Sequence, residues 1–216
     1  MKKPIKLLVM CALSLVLIFA FVACDKENDS PKAQSYTFEA EYAILPTVGA
    51  GWSGGMSEVG PDLDKTMNAS NGYFVVGLYA KGATLTFEIE ADKAVSDAKI
   101  IARFTAEDPT GILDGGGENP KSFTITKDTF KIKVNGEAIA YKDITFNNIK
   151  KTNKFQDYTI GSNISLKQGK NIIEMVVDND KSLGGTTLAT APLVDCLKIT
   201  TTATLKWTPL TSNLPE

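Results

Sequence analysis

The chain has 216 residues, with 23 Lys and Arg against 25 Asp and Glu, and no histidine. A formal charge of −2 without a basic cluster argues against nucleic acid, whose binding rests on neutralising phosphates. The missing histidine excludes Ser–His and Cys–His nucleophile activation and any His-ligated zinc or iron site, whereas carboxylate-only chemistry of the glycosidase kind survives.

Lys2, Lys3 and Lys6 precede an uncharged apolar run over residues 7–23. That is a positive n-region and an h-region, and it is short for a spanning helix, which needs about 20 apolar residues. The run ends in Phe21-Val22-Ala23-Cys24, which resembles the lipobox of bacterial lipoproteins, with Phe21 where Leu is usual. The resemblance implies that residues 1–23 are a signal peptide and that Cys24 becomes the lipidated N-terminus. Several acyl chains anchor firmly, so the chain is expected to be held at a membrane by lipid and not to span it.

Asp25-Lys26-Glu27-Asn28-Asp29-Ser30-Pro31-Lys32 is polar and poor in apolar residues, so 24–35 reads as a flexible tether. An acidic stretch behind the lipidated Cys resembles the export signal of some Gram-negative surface lipoproteins, which implies the outer membrane and its outer face. Without the leader's three lysines, 25 acidic residues face 20 basic ones. Cys11 leaves with the leader and Cys24 carries lipid, so Cys196 is the one free thiol. Its flanks, Val194, Leu197 and Ile199, predict a buried and inert side chain.

Beyond the tether the periodicity is two. Leu85, Phe87 and Ile89 share one face, and Thr86, Glu88 and Glu90 the other. Phe130-Lys131-Ile132-Lys133-Val134 repeats the pattern, and Asn135-Gly136 then supplies a tight hairpin turn. Strands are predicted over 36–42, 73–78, 84–90, 98–105, 122–126, 130–134, 139–144, 155–160, 171–177 and 193–200. No window carries a convincing amphipathic helix. Many short strands with Gly turns predict an all-β sandwich over residues 36–201, followed by a tail, 202–216, with room for one added strand at 204–207. Long loops are expected at 47–71, around Trp52 among glycines, at 107–121 and at 178–192. Loops of such length are often functional.

Several stretches in order resemble carbohydrate-binding modules of families 6 and 35. They are Phe38-Glu39-Ala40-Glu41-Tyr42, then Ser70-Asn71-Gly72-Tyr73-Phe74-Val75-Val76-Gly77, then Lys81-Gly82-Ala83-Thr84-Leu85. Leu166-Lys167-Gln168-Gly169-Lys170-Asn171 and the closing Leu193-Val194-Asp195-Cys196-Leu197 complete the set. The resemblance implies a jelly-roll β-sandwich of two antiparallel sheets, galactose-binding-domain-like. It also implies a structural calcium between the first and last strands. Glu39 and Glu41, at i and i+2, are expected on one face of the first strand, and with Asp195 they offer the hard oxygens that calcium prefers. Asp178-Asn179-Asp180-Lys181-Ser182 clusters oxygens in the manner of a calcium loop. However, Gly184 comes one place late, and Ala189 stands where the bidentate Glu belongs.

Sugar binding in these families needs an aromatic platform for the apolar faces of a pyranose. The candidates are Trp52, Tyr73, Tyr79 and Phe155, with Tyr158 beside them. Phe155 stands near where the families often place Trp, and Leu193 stands where they often place Asn. A site altered at that end would pass to Trp52 or to the 178–192 loop. The reading is therefore a non-catalytic polysaccharide-binding lipoprotein with a structural calcium, serving partner glycan-degrading enzymes or transporters. The alternative is a structural or adhesive surface sandwich that has lost its sugar site. An enzyme would need two carboxylates facing each other across a cleft, and none can be named.

Overall fold

The computed structural model describes residues 31–47, 58–62, 65–78, 80–106, 121–149, 153–179, 181–183, 186–188 and 191–214. In chain order the strands are β1 (Gln34–Glu39), β2 (Glu58–Pro61), β3 (Tyr73–Val76), β4 (Thr84–Ala91), β5 (Val95–Thr105), β6 (Lys121–Ile125), β7 (Phe130–Val134) and β8 (Glu137–Ala138). They continue with β9 (Ile144–Ile149), β10 (Gln156–Leu166), β11 (Gly169–Val177), β12 (Lys181–Leu183), β13 (Thr186–Leu188), β14 (Leu193–Thr201) and β15 (Leu205–Trp207). The only helical elements among the described residues are 3-10 turns at Ala40–Tyr42 and Thr211–Asn213.

Two antiparallel sheets form the sandwich. One runs β10-β5-β14-β3-β2, with β1 also on β14, and the other runs β15-β4-β11-β7-β8. Alternation builds the core: Leu85, Phe87 and Ile89 of β4 and Phe130 and Ile132 of β7 are buried. They meet Ile100, Ala102 and Phe104 of β5 and Leu197 and Ile199 of β14 in one cluster. Phe104 and Phe130 join the two sheets edge to face at 5.9 Å. Each Leu, Ile or Phe so removed from water contributes about 1.5–3 kcal/mol. The hairpin turn after β7 uses Asn135 and Gly136, both at positive φ (54° and 89°), as the sequence requires of that turn.

Several expectations need correction. The first strand ends at Glu39, and the chain turns into the 3-10 segment Ala40–Tyr42, closed by Ala43 N donating to Ala40 O at 3.0 Å. The segment 139–144 is not a strand, because Tyr141 turns inward and sets its hydroxyl against the carbonyls of Thr126 and Phe130. The strand in that region begins instead at Ile144 and pairs with β6. The long segments 47–71 and 178–192 are not structureless, since they contain β2 and the β12–β13 hairpin. The tail does add a strand: β15 pairs with β4, and Trp207 packs its ring on Phe38 at 5.5 Å. Cys196 is buried, as expected. The 107–120 segment, Trp52, Tyr79, Cys24 and the whole leader lie outside the described residues.

Candidate cation centre

Strand β14 pairs with β5 along one side. Along its other side it pairs with β1, from Gln34 opposite Thr201 to Glu39 opposite Cys196, and with β3 only at Val194 opposite Val75. Asp195 therefore lies where β1 stops and β3 takes over. The register against β5 also slips between Val194 and Cys196, which makes Asp195 the extra residue of a bulge. A bulge re-aims side chains locally, and here both Asp195 and Cys196 are fully buried.

Three carboxylates gather at this junction. Glu39 comes from the end of β1, Glu41 from the 3-10 turn and Asp195 from the bulge. Glu41 and Asp195 are each 0% exposed. Ligand atoms of Glu39, Asp195 and Cys196 lie within 4.8 Å of one another. Ser70 caps the group: its Oγ is 2.5 Å from Glu39 Oε2 and 2.9 Å from Asp195 Oδ1, and its backbone N–H donates to Asp195 Oδ1 at 2.9 Å. One hydroxyl proton cannot serve both carboxylates at once, so the hydroxyl donates to Glu39 or to Asp195 while the Ser70 N–H stays on Asp195. Asn71 Nδ2 donates to Glu41 Oε1 at 2.9 Å and lies 3.1 Å from the Tyr42 hydroxyl.

Arg103 supplies the one guanidinium. Its Nε is 2.5 Å from Asp195 Oδ2, NH2 donates to Asn68 O at 2.7 Å, and NH1 contacts Asp157 at 3.2 Å. Asp157 is in turn paired with Lys198 at 2.8 Å. The three carboxylates thus outnumber the cations nearby, Arg103, which is already shared, and Lys198, which acts on Glu39 and also pairs with Asp157. Glu41 Oε2 is buried and accepts no hydrogen bond, and Asp195 Oδ2 has only the ion pair.

Electrostatics follow from this excess. Burial raises the Glu41 carboxyl to about 7, with Glu39 and Asp195 adding to the rise and the Asn71 amide opposing it. Burial likewise raises Glu39 and Asp195, opposed by Ser70 in both cases and by Arg103. Burial, then Asp195, pushes the Cys196 thiol up to about 12. A buried charge is costly unless it is paired. The unpartnered Glu41 oxygen and the close approach of the Glu39 and Asp195 carboxylates are chemistry that suits a hard cation at this junction. The thiol at its high pKa offers such an ion little.

Ser70, Asn71 and Arg103 were not named from sequence as parts of this centre. The available signals were the Ser-Asn-Gly run before β3 and the fact that Arg103 is the chain's one arginine. The other calcium candidate behaves differently: the Asp178 carboxylate contacts Lys131 and Lys81, and those lysines hold it below the usual range.

Of the expected sugar-binding aromatics, Tyr73 is half-buried at the start of β3, opposite Pro61. Phe155 is a correction. It is 3% exposed, with its ring 5.4 Å from Phe74 in a small cluster with Met67 and Leu193, so it presents no face to a ligand. The position expected to carry Asn is filled by the buried Leu193 of the same cluster. Tyr158 also points inward, stacked on Phe104 at 6.2 Å.

No family model matches the chain, and no curated protein does. Among solved structures it is similar to a family 35 carbohydrate-binding module from Clostridium thermocellum, with TM-score 0.48 and 19% identity over 77% of this chain and 98% of that one. It is also similar to the CBM35 from Cellvibrio japonicus Abf62, with TM-score 0.45 and 15% identity over 81% and 97%. A third is the GH26-CBM35 β-(1,4)-mannanase of Podospora anserina, with TM-score 0.47 and 16% identity over 76% of this chain. The chain spans about a quarter of the mannanase, 27% of its length.

Proposed function

We propose that the chain binds carbohydrate without cleaving it, through a β-sandwich held together at one end by calcium and carried on a lipid anchor at Cys24. The observation that supports this reading most is the meeting of Glu39, Glu41 and Asp195. Glu39 and Asp195, from opposite ends of the chain, bring ligand atoms within 4.8 Å of one another, and the buried Glu41 carboxylate stands near enough to feel both, an arrangement whose chemistry suits a hard cation. Glu39, Glu41 and Asp195 are the proposed ligands. Trp52, Tyr73 and Tyr79 are the proposed stacking residues, and the partner is a polysaccharide at the outer membrane surface. Enzymes or transporters that handle the same glycan are the proposed companions.

A second reading, a structural or adhesive sandwich without a sugar site, draws on the burial of Phe155 and Leu193. A glycan array probed with the purified domain in calcium separates the two. Retention on at least one polysaccharide supports the first reading. Binding to no glycan, with calcium bound and the fold intact, hands the case to the second.

A further inference from the structure

The 3-10 turn that carries Glu41 is not held by its own strand. Its exit carbonyls are capped from the far end of the sequence: Asn213 Nδ2 donates to Glu41 O at 3.0 Å and to Ala43 O at 2.7 Å. Leu210 N donates to the carbonyl between them, Tyr42 O, at 2.9 Å. Three successive carbonyls that the turn leaves open are thereby satisfied by two tail residues. Just before them, Trp207 lies against Phe38 at 5.5 Å and Tyr42 at 6.4 Å, one on each side of the Glu39-Ala40-Glu41 segment. The turn's N-cap residue Glu39 makes no side-chain cap, and its own C-cap is a backbone bond from Ala43.

Resting on the cation reading above, we infer that residues 207–213 are a clasp that positions Glu41 for the cation, so that cation binding and docking of the tail are linked. Asn213 is a positioning residue: it touches the backbone of the ligand-bearing turn and not the ion. Holding the turn in its ligating shape lowers the ordering that the ion must impose, which tightens binding. Linkage is reciprocal, so the ion must tighten the docking of the tail by the same factor.

The test uses the full mature chain and calcium itself. Calcium titration by calorimetry on wild type and Asn213→Ala should show about fivefold weaker binding in the variant, the scale of one to two lost hydrogen bonds. Melting in chelator should also fall in the variant, because two carbonyls lose their donor, so the affinity is the deciding readout. A merely structural Asn213 would lower the melting point in chelator and leave the affinity unchanged, and that would overturn the inference. The reciprocal arm measures hydrogen exchange of the Leu210 amide in the wild type, which should slow on adding calcium. Exchange that ignores calcium would also overturn it. A wild type that binds no calcium at all overturns the cation reading and the clasp together, whereas binding that is indifferent to Asn213 overturns the clasp alone.

Discussion

Arg103 Nε stands 2.5 Å from Asp195 Oδ2, and through this contact the chain's one arginine reaches a fully buried carboxylate. The guanidinium also spans to Asn68 O and to Asp157, so it ties β5, β10, the bulge of β14 and the segment before β3 together. Removing one partner of a buried pair leaves the other charge uncompensated, at about 3–5 kcal/mol. Arg103→Met is expected to destabilise on that scale, as read by urea denaturation. Arg103→Lys should recover only part of the loss, because an ammonium cannot present the same planar fork. A methionine variant within about 0.5 kcal/mol of wild type would show that the pair is not structural.

Calcium and pH should act against each other. In the folded chain Glu41 titrates at about 7 against an ordinary 4.5, and Glu39 and Asp195 are raised as well. A raised folded value means that the folded state binds more protons between the two values, so without cation stability falls as pH climbs from about 4.5 through about 7. Bound calcium removes the need for those protons and adds stability by mass action. Melting curves in chelator should therefore decline between pH 5 and pH 8, while those in calcium should not, and Glu41→Ala should abolish the difference. Identical curves with and without chelator at pH 8 would remove calcium from the account.

Trp52 and Phe155 should give opposite phenotypes. Phe155→Ala empties a packed cluster and is expected to cost about 3–5 kcal/mol without a specific effect on glycan retention by the protein that remains folded. Trp52→Ala should weaken retention on an affinity gel and leave stability nearly unchanged. If the Trp52 variant loses several kcal/mol and still binds, its ring belongs to the core and the proposed platform is wrong.

Lipidation at Cys24 is tested by mass and labelling. Wild type expressed in a Gram-negative host should carry acyl groups, and Cys24→Ser should accumulate as an unlipidated precursor with residues 1–23 attached. Labelled lipid entering the mutant would move the modification elsewhere.

The sandwich itself was legible in the sequence because its signals are local. Alternation in 84–90 and 130–134, with Asn135-Gly136 behind the latter, depends only on which face each residue presents and on two residues that tolerate positive φ. The order of short motifs offered Glu39, Glu41 and Asp195 as candidates. Their geometry was not legible. A strand spacing of i and i+2 would have put both glutamates on one strand face, but the chain turns after Glu39, and the turn is held by a tail at residues 207–213 that no local pattern connects to it. Phe155 was misread for a related reason: whether an aromatic ring faces water depends on what the rest of the chain brings over it, here Phe74, Met67 and Leu193. The sequence by itself therefore determined the strand class and the supply of carboxylates. Only the tertiary structure decided which of these became buried neighbours, that Arg103 and Ser70 meet them and that the tail caps their turn, because burial and charge coupling are properties of residues close in space and not in sequence.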